Sequence, residues 1–465
     1  MELENKKRTL DMTKGNIKKI MLIFALPIFL SSLFQTLYSS IDSLIVSKFI
    51  GNNAFSSITS LNSLIFMFNS FFIGTSLGAG VVISRFFGAK NYEKMSVAIH
   101  TNVVLGLIFG ILLSSLGFFL LPLIVERFMN LDPEILVYSK QYISVYFIGS
   151  IFNIMYNTFN GILNAVGNSK RSLIYLIISS VLNIILDLIF IGIFKWSVWS
   201  AALATIISQF ISALLALIHL LKKENIYHLE LKKLKIDKEI SKEILKYGIP
   251  TGVQNSVIGF ANVLIQSNIN SFGGLATAAC GSFSKIESYV FLPVTSFTMA
   301  ISTFISQNLG AKEYQRAKDG ARFGITMSIV MAESFGILLF IFAPMFIKIF
   351  INNNESIENV QKIIEIGTTQ SRIESLFFLF LALSHSLASV FRGSGKAIIP
   401  MVIMLSVWCV FRSIYVTVMM SIPATHDIKF IFMAYPLTWI ISSIIYTIIY
   451  YRGRWLHYFD KKEID

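Results

Sequence analysis

The sequence predicts an all-α polytopic membrane protein in which about twelve membrane-spanning helices form two similar six-helix lobes. Composition, long apolar runs and an internal repeat predict this class. Of the 465 residues, 54% are hydrophobic and only 14% are charged, and the mean hydropathy is +0.68. A chain this apolar could not hide its surface inside a soluble globule. We therefore expect its solvent to be lipid.

The apolar runs are longer than the roughly 20 residues that cross the hydrocarbon core of a bilayer. The predicted helices must therefore tilt or project beyond that core. Their expected starts, in chain order, are Ile17, Phe55, Lys94, Pro133, Arg171, Ser197, Ile244, Ala276, Ala317, Ile357, Ala397 and Ile428.

An internal repeat spans nearly the whole chain. The peptide GAKNY at Gly88–Tyr92 recurs as GAKEY at Gly310–Tyr314, each time after a long apolar run, and a register longer by one residue carries Pro27 onto Pro250. We predict a first lobe over residues 1–222, a basic linker over 223–241 and a second lobe over 242–465. Equivalent positions are about six spans apart, an even number, so the repeats are parallel. Parallel repeats are typical of transporters whose binding site lies near the membrane midplane where the repeats meet.

The net charge of +13 is distributed as in a membrane protein rather than a nucleic-acid-binding one. With a cytoplasmic N-terminus, most Lys and Arg residues fall in cytoplasmic loops, and the C-terminus is cytoplasmic too. We therefore expect a multi-pass protein of the cell membrane. The few basic residues on the outer side are Lys48, Arg127, Lys195, Lys348, Lys362 and Lys429.

Two predicted spans carry stripes of amides at helical spacing. An amide that faced lipid would leave its donors and acceptors unpaired, at a cost of a few kcal/mol. Each stripe therefore faces protein or water, and either cavity lining or interhelical hydrogen bonding explains it. The fourth span holds Asn153, Asn157, Asn160 and Asn164, and the seventh holds Asn255, Asn262 and Gln266.

Two acids, Asp42 and Asp187, fall within predicted spans. A carboxylate at membrane depth costs about 2.5 kcal/mol or more, so it indicates a function by default. Asn183 precedes Asp187 by one helical turn. Such a group can hold a proton or a hard cation such as Na⁺ through its oxygens. A purely structural pair, satisfied by neighbouring hydroxyls, is the alternative.

The chain offers no sign of enzyme or cofactor chemistry. It has no Walker-type glycine-rich loop and no HExxH motif, and we expect no cofactor other than a coupling ion. Cys280 and Cys409, the two cysteines, lie in or beside apolar runs and are expected to be packing residues.

In its order of motifs, the chain resembles the MATE (multidrug and toxic compound extrusion) family from about Ile17 to Tyr450. The motifs that carry this resemblance are Asp42, Asn183 with Asp187, Thr205, Lys285–Glu287 with Pro293, Gln307–Ala311 and Arg392–Lys396. The resemblance implies a V-shaped pair of six-helix lobes. It also implies the export of organic cations or amphiphiles in exchange for Na⁺ or H⁺.

The resemblance further implies that the coupling ion, either Na⁺ or H⁺, binds at Asp42, Asn183, Asp187 and Thr205. It also implies that Gln35 lines the adjoining cavity. Pro27 lies where some family members are proposed to bend the first helix, and a fixed structural kink is the alternative.

One departure from the family concerns the seventh span, which lacks the glutamate that some branches carry there. This places coupling in the first lobe. The roles of four charged residues in the second lobe stay open from sequence, namely Glu333, Arg372, Glu374 and Arg412.

The sequence therefore predicts a cation-coupled multidrug exporter that works by alternating access and acts as a monomer. Its partners are expected to be small organic substrates and membrane lipids. The alternative is a flippase for lipids or lipid-linked oligosaccharides, which should carry more cationic residues inside its cavity. The acidic first lobe argues against that alternative.

Overall fold

A computed structural model describes residues 9–129, 131–351, 356–453 and 455–457. Both chain termini lie outside these ranges, so the prediction that they are cytoplasmic concerns residues outside the described part of the chain. The first half contains helices α1 (Ile17–Phe49), α2 (Asn52–Gly88), α3 (Tyr92–Phe128), α4 (Pro133–Ile148), α5 (Ser150–Ala165), α6 (Ser169–Asp187) and α7 (Trp199–Leu220). The second half contains α8 (Lys238–Asn270), α9 (Gly274–Gly310), α10 (Tyr314–Ile349), α11 (Ile357–Ser375), α12 (Phe378–Gly393), α13 (Ile398–Ile403), α14 (Arg412–Ser421) and α15 (Ile428–Tyr451).

The predicted all-α membrane class is confirmed. Among the described residues, nine helical segments are long and apolar enough to cross a membrane, or eleven if each of two bent helix pairs is one span. These pairs are α4 with α5, bent by 47°, and α11 with α12, bent by 53°. Helix α8 is as long as α1 but is too polar to meet the same criterion. The number of spans thus approaches the expected twelve.

The repeated GAKxY peptide forms the same tight turn in both halves. It joins α2 to α3 and α9 to α10, and its lysine adopts a left-handed backbone in each copy, with φ of 56° at Lys90 and 60° at Lys312. In the first copy, the side chain of Asn91 accepts a hydrogen bond from the Lys94 N–H and so caps α3. The peptide therefore ends one long helix and starts the next.

The chain folds into two compact units. The first contains Leu22–Gly252, together with Gly310–Lys312 and the residues up to Gly15. The second contains Asn16–Met21, Val253–Leu309 and the chain from Glu313 onward. Helix α8 therefore begins in the first unit and continues in the second.

Two pairs of glycines bring α2 and the first part of α8 into backbone contact within the first unit. A Cβ atom added to Gly74 would lie 2.3 Å from the backbone nitrogen of Gly252, and one added to Gly78 would lie 2.3 Å from that of Gly248. Each helix thus presents two glycines one turn apart. This small-xxx-small spacing is typical of closely packed membrane helices.

The segment between α7 and α8 is fastened to the first unit by polar contacts. The backbone N–H of Glu230 donates to His100 Nε2 at 3.0 Å, and that of Asp237 donates to Thr101 Oγ1 at 3.2 Å. At the start of α8, Glu243 accepts two hydrogen bonds from the Arg85 guanidinium, at 2.7 and 2.8 Å. Such a bidentate pair has a well-defined geometry, and it holds α2 and α8 together.

In the second unit, Glu333 supports the bend between α11 and α12. Its Oε2 accepts a hydrogen bond of 2.9 Å from the backbone N–H of Leu379, at the start of α12. The first N–H groups of a helix have no partner within the helix, so a carboxylate from α10 satisfies one of them. The bend in the first half receives similar support, because Ser114 Oγ of α3 accepts from the Ile151 N–H of α5 at 3.1 Å.

Candidate functional site

Three helices of the first unit bring together the residues expected to bind an ion. Asp42 lies near the end of α1, Asn183 and Asp187 lie in the last part of α6, and Thr205 lies in α7. All four are buried, and Asp187 has no exposed surface. Helix α6 can carry two of them towards one point because Asn183 and Asp187 are four residues apart and share a face.

The four side chains interact in two pairs. The carboxyl groups of Asp42 and Asp187 interact with each other. Asn183 Nδ2 lies 3.5 Å from Thr205 Oγ1, and that hydroxyl donates to the Ala201 carbonyl at 3.0 Å. Helix α6 thus contributes one residue to each pair, Asp187 to the pair with Asp42 of α1 and Asn183 to the pair with Thr205 of α7.

This group leaves several oxygen acceptors without a hydrogen-bond donor. Among the described residues, the unpartnered atoms include Asp42 Oδ1, Asn183 Oδ1 and both carboxylate oxygens of Asp187. Buried polar atoms are nearly always paired, so such a concentration needs a physical explanation. Carboxylate and amide oxygens suit a proton or a hard monovalent cation, and no nitrogen or sulfur ligand is required.

The helix changes its winding directly after Asp187. Leu188–Ile193 forms a π-helical turn, in which the Phe194 N–H reaches back to the Ile189 carbonyl at 2.9 Å. Short π-helical segments are rare and are frequent at functional sites. Here the wider turn directly follows the buried carboxylate.

Two tyrosines that were not predicted interact with the two acids. Tyr38 precedes Asp42 by one turn of α1, and both Tyr38 and Tyr142 of α4 interact electrostatically with Asp42 and Asp187. Tyr142 stacks on Tyr146, with ring centroids 6.1 Å apart. Since a phenol can donate one hydrogen bond, these hydroxyls can share in holding a charge at the site.

The predicted amide stripe of the fourth span lies on α5, and its members bond to each other in pairs. Asn157 Nδ2 donates to Asn153 Oδ1 at 2.9 Å, and Asn164 Nδ2 donates to Asn160 Oδ1 at 3.2 Å. Ser172 of α6 also donates to Asn160 Oδ1. At Asn160 the stripe therefore takes part in interhelical hydrogen bonding. Asn153, Asn157 and Asn160 nevertheless remain only half-buried.

The other predicted residues are distributed over α1 and α8. Gln35 is exposed on α1 and bonds to Tyr38. On the part of α8 that belongs to the second unit, Asn255 and Gln266 are half-buried and Asn262 is exposed.

Pro27 lies inside α1, where its carbonyl accepts a hydrogen bond from Ser31 Oγ at 2.8 Å. In the second unit, Arg372 is exposed and rests over the Phe340 ring, whereas Glu374 and Arg412 are fully buried.

A duplicated set of long apolar helices with a buried acidic site defines a polytopic membrane transporter. A protein-family model described as MatE matches residues 27–189 and 250–418. The chain belongs to this family, the MATE multidrug efflux transporters.

Similarity to individual proteins extends over most of the chain. A probable multidrug resistance protein, YoeA of Bacillus subtilis, is 26% identical over 461 residues, which cover 97% of this chain and 96% of YoeA. The multidrug export protein MepA of Staphylococcus saprophyticus is 25% identical, over 86% of this chain and 89% of MepA. In fold, the chain is similar to a MATE protein crystallised in complex with MaL6, with a TM-score of 0.88 and 20% identity over 96% of this chain and 98% of that one.

Proposed function

We propose that this protein is a secondary exporter that moves organic cations or amphiphiles out of the cell in exchange for Na⁺ or H⁺, by alternating access. In this proposal the coupling ion binds Asp42, Asn183, Asp187 and Thr205. The observation that carries the proposal is the set of buried acceptor oxygens without donors at Asp42, Asn183 and Asp187. The names of the relatives, which describe multidrug resistance or export, support the same class of substrate.

The substrate is proposed to contact the half-buried amides of α5, with Gln35, Asn255, Asn262 and Gln266 as further candidates. Amides and aromatic rings suit varied amphiphiles, since they offer both hydrogen bonds and apolar surface. The protein is proposed to act as a monomer in the plasma membrane, with both termini in the cytoplasm.

The buried acids supply a physical reason for coupling. Two carboxylates in contact at membrane depth repel each other, and each is costly to bury while charged. A bound proton or Na⁺ relieves both costs. If the ion stabilises one conformation and the substrate another, each weakens the binding of the other. A coupling free energy of about 1–3 kcal/mol changes the affinities by roughly 5- to 150-fold.

The test is transport by the purified protein in liposomes. Ethidium movement is followed under an imposed Na⁺ gradient, an imposed pH gradient, or neither. We expect one of the gradients to drive movement, and we expect Asp42→Asn combined with Asp187→Asn to abolish the driven component. Asp132→Asn is the matched control, because Asp132 is exposed and its side chain makes no capping hydrogen bond at the start of α4.

Ethidium movement that is equally fast with and without either gradient would overturn the proposal, and so would full transport by the double variant. A labelled lipid in the same liposomes tests the flippase alternative. If the protein translocates this lipid but not ethidium, the exporter proposal is wrong.

A further inference from the structure

The second unit buries a guanidinium group that the proposed transport cycle does not use. Arg412, the first residue of α14, is only 1% exposed. Its Nη2 donates to Thr438 Oγ1 at 2.6 Å, and its Cζ lies 4.9 Å from the Trp408 ring centroid and 4.7 Å from that of Tyr435. Two aromatic faces and a hydroxyl thus hold the charge in place.

Two glutamates of the second unit interact with this guanidinium. Glu374, at the end of α11, has no exposed surface, and Glu287 lies in α9. Both interact electrostatically with Arg412 and with each other. Gln370 Nε2 donates to Glu374 Oε1 at 2.9 Å, whereas Glu374 Oε2 and Arg412 Nε have no hydrogen-bond partner in the described part of the chain.

The internal repeat places Arg412 close to the counterpart of Asp187. In the repeat, Gly167–Lys170 matches Gly393–Lys396, and Arg412 follows the second peptide by almost the same number of residues as Asp187 follows the first. Asp187 directly precedes a π-helical turn, and Arg412 directly follows another, Met404–Phe411. Where the first half has a buried carboxylate, the second half has a buried cation.

We propose that Arg412 is a tethered counter-ion that takes the place of a bound cation in the second unit. The proposal rests on the proposed function, in which the acids of the first unit exchange the coupling ion. A guanidinium keeps its charge at all pH values relevant to a cell, and it cannot dissociate from the chain. The carboxylates Glu287 and Glu374 are therefore partly compensated without an exchangeable ion. As a result, the second unit does not add an ion to the transport cycle.

A gain of cation binding tests this inference. Removal of the guanidinium leaves the two carboxylates short of one positive charge relative to the wild type. We therefore expect Arg412→Gln to bind one more monovalent cation per molecule than the parent protein. Binding of radioactive Na⁺ to purified protein and proton uptake from a weakly buffered solution distinguish the two ions. Arg412→Lys keeps a tethered charge, and we expect it to show no gain.

All measurements are repeated with Asp42→Asn and Asp187→Asn already present, so that first-unit binding does not contribute. The gain caused by Arg412→Gln should persist in this background and should disappear when Glu374→Gln is added. A misfolded variant would not acquire a site with this dependence.

Two kinds of result overturn the inference. One is an Arg412→Gln protein that still binds an ion through its first unit, and so is folded, but gains no cation. The other is a gain that also occurs in Arg412→Lys or that survives Glu374→Gln. Failure of the proposed function has a different signature, because ion binding by the protein with Arg412 intact would then survive Asp42→Asn with Asp187→Asn.

Discussion

Replacing Gly78 with alanine would test how far the glycine contact between α2 and α8 stabilises the first unit. The added Cβ would lie 2.3 Å from the backbone nitrogen of Gly248 and 2.4 Å from its Cα, whereas ordinary van der Waals contact begins at 3.4 Å. Both neighbours are backbone atoms, which cannot rotate away as the end of a side chain could. The two helices must therefore part by about 1 Å at this crossing.

The expected cost follows from the overpacking. Extra carbon atoms in a well-packed interior typically cost ~1–3 kcal/mol, while alanine gains up to ~1 kcal/mol over glycine within a helix. Gly281→Ala is the matched control, since Gly281 lies in helix α9 and its added Cβ would meet nothing within 4 Å. Both variants gain the same free energy from replacing glycine with alanine within a helix. Gly78→Ala should therefore be less stable than Gly281→Ala by ~1–3 kcal/mol.

The free energy of unfolding can be measured by titration with sodium dodecyl sulfate in mixed micelles, with thermal melting as a second measure. Equal stability of the two variants would refute the reasoning. Adding Gly248→Ala to Gly78→Ala provides a further check, because helices that have already parted have room for part of the second methyl group. The combined cost should be smaller than the sum of the separate costs.

Two further predictions concern single polar contacts. Tyr142→Phe removes a hydroxyl that interacts electrostatically with Asp42 and Asp187. Loss of an interaction of ~1 kcal/mol should reduce gradient-driven ethidium transport about fivefold without lowering the melting temperature. Undiminished transport would contradict this role. Glu333→Leu leaves the Leu379 N–H without its acceptor and should destabilise the protein by ~1–3 kcal/mol in the same titration, whereas Glu333→Gln retains an acceptor. Equal losses of stability in the two variants would contradict the capping role.

The helical framework could be predicted from sequence because apolar runs and the repeat are strong signals. The expected starts lie within a few residues of observed helix starts, and Ile244 is the furthest from its helix, since α8 already begins at Lys238. The first residues of α8 are polar, so hydropathy alone could not detect them. The bends after Ile148 and Ser375 also escaped prediction, because the apolar composition continues through each of them.

Some features of the site were readable from the sequence but were missed. Tyr38 lies one turn before Asp42, so helical spacing alone places both on one face of α1. The glycines of α2 and α8 have the four-residue spacing of a close helix contact, which is also visible in the sequence. The interaction of Tyr142 with the acids is of a different kind, because it depends on where the tertiary fold places α4, and no local pattern contains that information.

A comparison of the two halves relates the buried charges of Asp187 and Arg412 to the roles proposed for the two units. The two halves differ in charge at closely corresponding places, Asp187 in the first and Arg412 in the second. At the end of α6, Asp187 leaves two oxygens unpartnered, which suits an ion that must arrive and leave. At the corresponding region of the second half, Arg412 is held by Thr438 and two aromatic rings, which suits a charge that must stay. Under the proposed coupling, the first unit would exchange an ion while a tethered guanidinium would replace one in the second unit, and the repeat would thereby link the fold to the stoichiometry of coupling.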